Sequence, residues 1–290
     1  MFGKEYYKNP EILLDSFGEM NHSYEIISKK DKKSGVLKML ESIYIRMFGI
    51  PEIGFQSRFL YFRKLLKKFP NSPRKILDAG SGIGSQTLWL SKQYKGAEII
   101  SCDVDSSKLE KAKKFTNNFY KSKKIKFLIR DISHPLKEKN IYDLIVNIDV
   151  LEHVKNYKAV LGNFQKLLKV GGYLYLHTPQ PGQKRIFKQL KTWEHEGHTL
   201  EGYTPEELTE ELKKLGFNII EKRETFGYFG KLAWELNHLT LMRSFVLAGL
   251  FFPLFYCLAK SDLLFENKDG LGTAILAKKV KTNSFVSKSR

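Results

Sequence analysis

The sequence predicts a doubly wound α/β fold, and three observations predict it. From Arg74 onward, short apolar runs suited to buried strands alternate with amphipathic helical segments. The first run, Lys75-Ile76-Leu77-Asp78-Ala79, leads into glycines at 80, 82 and 84 and then an amphipathic stretch from Gln86 to Tyr94, which reads as strand, tight turn, helix. Four aspartates, Asp78, Asp103, Asp131 and Asp149, fall at or just beyond the ends of four successive strands. Open α/β sheets bind ligands at that edge.

The elements follow in order. Residues 1–35 are mixed and polar and carry no assignment, whereas Val36 to Phe48 repeats apolar residues at helical spacing until Gly49-Ile50-Pro51 breaks it. A second helix is expected from about Gln56 to Phe69, ending before Pro70-Asn71-Ser72-Pro73. The second strand spans about Ala97 to Cys102 and ends at Asp103; Asp105 or Ser106 then caps a helix that turns Leu109, Ala112 and Phe115 inward. Strands three and four are Ile125 to Ile129 and Tyr142 to Ile148. A helix from about Asn156 to Lys169 is expected to stop at Gly171-Gly172 before a fifth strand from Tyr173 to His177. Thr204-Pro205-Glu206-Glu207 is a helix start, with a capping threonine and proline at the first position. Phe217 to Glu224 and Gly272 to Lys278 complete seven strands.

Composition narrows the class of protein. A hydrophobic content of 42% and a charged content of 28% over 290 residues belong to a globular chain with a sizeable core. Cys102 and Cys257 form no disulfide framework, which points to a reducing compartment, and the polar, aromatic opening does not read as a signal peptide. Lysines and arginines outnumber acidic residues 49 to 31, a net charge of +18 that favours an anionic partner.

The spacing of the glycine turn decides what it can hold. Glycine lets a ligand press against the backbone, and the following helix offers free amides. A dinucleotide fingerprint would carry glycine where Ser85 stands, so G-x-G-x-G points elsewhere. Asp103, nineteen residues after Gly84, stands where an acid can hydrogen-bond a ribose. Together the four aspartates indicate a nucleoside-type site.

Asp78-x-Gly80-x-Gly82-x-Gly84 resembles motif I of the class I S-adenosylmethionine (SAM)-dependent methyltransferases. Ile76 to Gly84, Ile100 to Asp105, Arg130-Asp131-Ile132, Asp143 to Val154 and Leu167 to Pro179 match that family's motifs in order and spacing. Asp149-Val150-Leu151-Glu152-His153-Val154, followed by Leu168-Lys169-Val170-Gly171-Gly172, resembles the subgroup acting on small molecules and lipids, including ubiquinone O-methyltransferases. The likeness covers roughly residues 74–224 and implies a seven-stranded Rossmann-like sheet with SAM as cofactor. It further implies Asp78 near the methionine end and Gly80, Gly82 and Gly84 under the ligand. Asp103, with Val104 after it, would hold the ribose hydroxyls, and Asp131, with Ile132, the adenine amino group; Asp149 completes the set. Arg58 resembles an arginine that grips the SAM carboxylate in the quinone subgroup.

Methyl transfer to oxygen or nitrogen also needs a proton acceptor, for which histidine is the usual residue at neutral pH. His153, after strand four, and His198, in Trp193-Glu194-His195-Glu196-Gly197-His198, are the candidates. The H-x-x-H spacing lacks a third ligand, and Asp149-x-x-Glu152-His153 resembles a metal-contacting pattern in some quinone enzymes; no residue is assigned to a metal. Asn147-Ile148-Asp149-Val150 stands where nucleic-acid amino-methyltransferases carry Asn/Asp-Pro-Pro-Tyr/Phe, which argues against a nucleic-acid acceptor despite the charge.

The division expected is a helical cap (1–73), a SAM-binding core (74–226), an apolar insertion (227–268), and a last strand with a basic tail (269–290). Ser244 to Ala259 is apolar almost throughout. It fits a membrane-dipping or lipid-accepting element, and equally a buried cap or dimer surface. A single crossing would separate strands six and seven, which must share one sheet. The resulting expectation is SAM-dependent O-methylation of a lipid-linked or apolar acceptor by a cytoplasmic protein resting on an anionic inner membrane face. A soluble small-molecule or sugar methyltransferase and a non-catalytic SAM-fold protein are the alternatives.

Overall fold

The computed structural model describes residues 43–44, 51–70, 72–119, 122, 124–135, 137–190 and 201–280. Of the helix expected over Val36 to Phe48, only Ile43 and Tyr44 fall inside that range, and both are helical. The basic tail lies outside it.

Seven strands form one sheet: β1 (Lys75–Ala79), β2 (Glu98–Asp103), β3 (Ile125–Ile129), β4 (Tyr142–Ile148), β5 (Leu168–Pro179), β6 (Phe217–Thr225) and β7 (Gly272–Lys279). Their order is β3-β2-β1-β4-β5-β7-β6. The sheet is mixed, because β7 runs antiparallel to both β5 and β6.

Helices cover both faces: α1 (Ile53–Leu66), α2 (Ser85–Gln93), α3 (Ser106–Phe119), α4 (Tyr157–Leu167) and α5 (Pro205–Lys214). Alternate strand residues point to opposite faces, so a doubly covered sheet needs apolar residues at both parities. Leu77, Ile145 and Leu174 pack with Val160, Phe164, Leu208 and Leu212 of α4 and α5. Ile76, Leu144 and Tyr175 pack with Phe59, Phe62 and Leu65 of α1 on the other face. The Phe62 and Tyr175 rings meet edge to face at 5.0 Å, a favoured aromatic geometry.

Two local expectations are corrected. Helix α4 ends at Leu167, and Gly171-Gly172 lies inside β5 rather than at a helix cap. Leu168 is already extended and pairs with Tyr142; the register then jumps to Leu144–Tyr173. Gly171 absorbs the surplus residues with φ of 83°, as a bulge requires.

Between β6 and β7 stands a helical hairpin, α6 (Tyr228–Arg243) and α7 (Phe245–Ser261). Ser244 is extended and its side chain accepts the Val246 amide hydrogen, so it ends one helix and caps the next. Three buried polar side chains fasten the hairpin. Asn237 accepts from the Ile53 amide and donates to the Pro51 carbonyl, both at 2.9 Å. Glu235 accepts from the amides of Ile186 and Phe187. Asp262 accepts from the Tyr61 hydroxyl (2.8 Å) and from the amides of Gly227 and Gly230.

Helix α7 is not interrupted at Pro253. Its inner face buries Phe252, Phe255 and Ala259 against Ile53 and Ala233. Val246, Leu250, Phe251 and Leu254 face outward, with Leu250 69% exposed. Val246–Leu264 is long and apolar enough to cross a membrane, with mean hydropathy 1.5 over 19 residues. However, β6 and β7, which flank it, pair side by side in one sheet, and that rules out a single crossing.

Candidate functional site

At the C-terminal edge of β1, β2, β4 and β5 lies a cavity of about 750 Å³, within the size range of ligand pockets. The glycine turn forms its floor. The amides of Gly80 and Ser81 both donate to the Cys102 carbonyl, at 2.8 and 2.9 Å, which ties the turn to β2. Gly80 has φ of 75°, and a Cβ there would stand 2.3 Å from Cγ2 of Val150. At Gly82, with φ of 52°, a Cβ would meet nothing within 4 Å, so the open space above it belongs to the cavity.

Gly84 has a different job. A Cβ there would meet Ala112 of α3 at 3.0 Å, and the residue does not line the cavity. Asp78 is also behind the wall. It is buried, takes a hydrogen bond from the Thr87 hydroxyl at 2.5 Å, and burial pushes its carboxyl up to about 7. Thr87 in turn neighbours Ser101, whose hydroxyl donates to Ser81. Direct contact between a ligand and either Asp78 or Gly84 is therefore not what the structure offers. They shape the turn from behind.

One end of the cavity carries the two carboxylates expected to face a nucleoside. Asp103 closes β2, its carboxylate accepting from the Gly82 amide (2.9 Å) and the Asp105 amide (3.0 Å). Val104 stands exposed at the rim. Asp131 faces the cavity beside the buried Ile132, and hydrogen bonds from Ser133 hold its carboxyl below the usual range.

The other end is aromatic and charged. Phe55, Phe226 and Trp234 wall it, and the Arg185 guanidinium stacks over Trp234 at 4.7 Å. Arg58 of α1 reaches across to Asp149, which also lies 2.5 Å from Nδ1 of His177. The Arg58 Nε is thus committed to a carboxylate of the protein. Burial opposes its charge, yet Asp149, Glu52 and Glu152 hold it above the ordinary arginine range.

His153 stands exposed at the cavity mouth, while Glu152 beside it is 1% exposed. A 3₁₀ turn over Leu151–His153 separates them. Asp149, two residues ahead of the turn and with φ of 51°, lies close enough for its charge to act on Glu152. In the sequence Glu152 stands out only through the Asp149-x-x-Glu152-His153 pattern, and its burial could not be read there. Burial, then the charge of Asp149, pushes its carboxyl up to about 8. His198 and His195 lie outside the described residues. Phe55, Arg185, Phe226 and Trp234 converge from four distant segments and carried no motif that could have found them.

The residues present fit SAM. An open glycine backbone, two carboxylates at Asp103 and Asp131, and a separate aromatic compartment share one cavity. Comparison with known proteins agrees. Residues 56–222 match the family model for a methyltransferase domain. A sterol 24-C-methyltransferase of Kluyveromyces lactis is 23% identical over 168 residues, 55% of this chain and 44% of that protein. A phosphoethanolamine N-methyltransferase of Triticum aestivum is 24% identical over 179 residues, 59% of this chain and 34% of that protein. The chain spans less than half the length of these curated relatives. Among solved structures, Haemonchus contortus phosphoethanolamine N-methyltransferase 2, bound to phosphomonomethylethanolamine and S-adenosylhomocysteine, shares the fold with a TM-score of 0.56. That match has 18% identity and covers 76% of this chain and 52% of the other. With more than half of its length inside the matched domain, the chain belongs to the methyltransferase domain family.

Proposed function

We propose that this methyltransferase acts on a lipid-class, apolar acceptor at an anionic membrane surface and methylates an oxygen atom, as the quinone-enzyme likeness of Asp149 to Val154 suggests. SAM supplies an electrophilic methyl group, so the protein's task is alignment of an acceptor against it and removal of a proton. The observation that carries the reading is the double use of the α6–α7 hairpin. Trp234 of α6 walls the acceptor end of the cavity, while α7 turns Val246, Leu250, Phe251 and Leu254 to solvent. Contiguous exposed apolar faces of this kind mark interaction sites, lipid among them. Arg243 and Lys260 stand exposed at the two ends of α7, and the net charge is +18. Each cation near an anionic surface adds about 1 kcal/mol. A relative named for a sterol acceptor supports the apolar class, although it is named for methylation at carbon, while one named for phosphoethanolamine, a charged water-soluble amine, favours the small-molecule alternative.

In this reading the protein works on the cytoplasmic face of a membrane, dipping α7 without spanning. The test is incubation with tritiated SAM and a total membrane-lipid extract, followed by mass spectrometry for products heavier by one methylene. Label only in water-soluble products would favour a soluble small-molecule acceptor instead.

A further inference from the structure

Three carboxylates of the described residues line the acceptor end, those of Glu52, Asp149 and Glu152, and two of them are committed. Both carboxylate oxygens of Glu52 take amides at the start of α1. Asp149 holds Arg58 and His177, and His177 has Nε2 3.0 Å from the Thr225 hydroxyl. Glu152 differs. Its Oε2 accepts from the Thr178 hydroxyl at 3.3 Å, but Oε1 is buried with no hydrogen-bond partner among the described residues. A buried carboxyl oxygen without a partner is costly to keep, and a catalytic role is one explanation of such an exception. This one is on the cavity wall, between Val150 over the glycine turn and the aromatic compartment.

We propose that Glu152 is a catalytic residue whose carboxylate takes the proton of the acceptor's hydroxyl group as the methyl arrives. The inference rests on the oxygen-acceptor reading above. In the step, the acceptor oxygen bonds to the methyl carbon and the carbon–sulfur bond breaks. The sulfur keeps that electron pair and loses its positive charge, and the hydroxyl proton passes to Glu152. His153, exposed at the mouth, is placed to relay the proton to water.

The surroundings suit a proton acceptor near neutral pH. Facing Glu152 are Asp149 at the end of β4, Arg58 of α1, Thr178 of β5 and Tyr203 ahead of α5. Burial and the Asp149 charge keep the carboxyl protonated up to about pH 8 in the free protein. A sulfonium in the cavity acts the other way, so binding SAM should expel the proton and leave the base ready.

Two measurements test this. Calorimetry of SAM and S-adenosylhomocysteine at pH 7, in buffers of different ionisation enthalpy, reads protons released on binding. Wild type should release more with SAM than with S-adenosylhomocysteine, whose sulfur carries no charge, and Glu152→Gln should lose that difference while keeping S-adenosylhomocysteine affinity within about threefold. Turnover on the membrane-lipid extract should fall roughly 10²–10⁴-fold in Glu152→Gln. Glu152→Asp, which keeps a carboxyl, should recover part of it. Equal proton release from wild type and Glu152→Gln overturns the proposal, as does a Gln variant with normal turnover. If wild type methylates no lipid, the acceptor reading fails, and the calorimetric comparison still decides Glu152.

Discussion

Gly80 and Val150 are in a contact that no side chain at position 80 could share, since a Cβ there would sit 2.3 Å from Val150 Cγ2. The left-handed φ of 75° adds its own strain for any other residue. Gly80→Ala should destabilise by roughly 1–3 kcal/mol through the backbone alone, and more through overpacking. Adding Val150→Ala should return the packing part and leave the backbone part. Chemical denaturation of the single and double variants reads the split, and identical midpoints would mean that the clash relaxes for free.

Asp103 ties β2 to the glycine turn and faces the nucleoside end of the cavity. Charge-assisted hydrogen bonds contribute about 1.5–3 kcal/mol. Asp103→Ala should therefore weaken SAM binding by roughly ten- to a hundredfold in calorimetry, with folding retained. Unchanged affinity would remove Asp103 from the ribose contact.

Asp78 gives a pH signature to stability. Its carboxyl ionises near 3.8 when unfolded and is pushed up to about 7 in the fold. Between those values the folded chain keeps a proton that the unfolded chain releases, so stability falls as pH rises through that window. Asp78→Asn, which still offers Thr87 an acceptor, should flatten the decline. Melting temperatures of both proteins at pH 5 and pH 7.5 measure it; parallel declines would show that Asp78 ionises normally in the fold.

The outer face of α7 should bind membranes. Wild type should float with vesicles containing phosphatidylglycerol and release partly in high salt. Leu250→Asp with Phe251→Asp should abolish flotation without unfolding, because both side chains are exposed. Phe252→Asp should instead unfold the hairpin, since Phe252 is fully buried. Wild type remaining in the dense fraction would end the membrane reading.

Much of this molecule was legible before its coordinates. Strand and helix alternation, the glycine turn and the strand-end aspartates are local patterns, and local patterns survive folding. What escaped was orientation. Asp78 shares parity with Ile76, so it turns toward the face covered by α1 and α2 rather than to the cavity. Reading parity, not just position, would have removed it from the ligand set. Ser244 to Ala259 reads as apolar almost throughout, and a helix apolar on every side does not announce that Phe252 and Phe255 are the residues it buries. The commitment of Arg58 to Asp149 was equally invisible, because the two are far apart in sequence and a pairing is not a motif.

The place of β7 has a consequence for how the protein is made. On the described sheet, β6 has one neighbour, β7, and β7 also supplies the second neighbour of β5. Until residues 272–279 leave the ribosome, β6 has nothing to pair with and β5 shows a bare edge. The apolar hairpin emerges during that same interval, before Gly272 can lock it in place. Nascent chains expose unpaired edges and apolar surface at their own risk. Synthesis thus passes through a stage in which the half that carries the glycine turn can already fold while the apolar hairpin and the edges of β5 and β6 await β7.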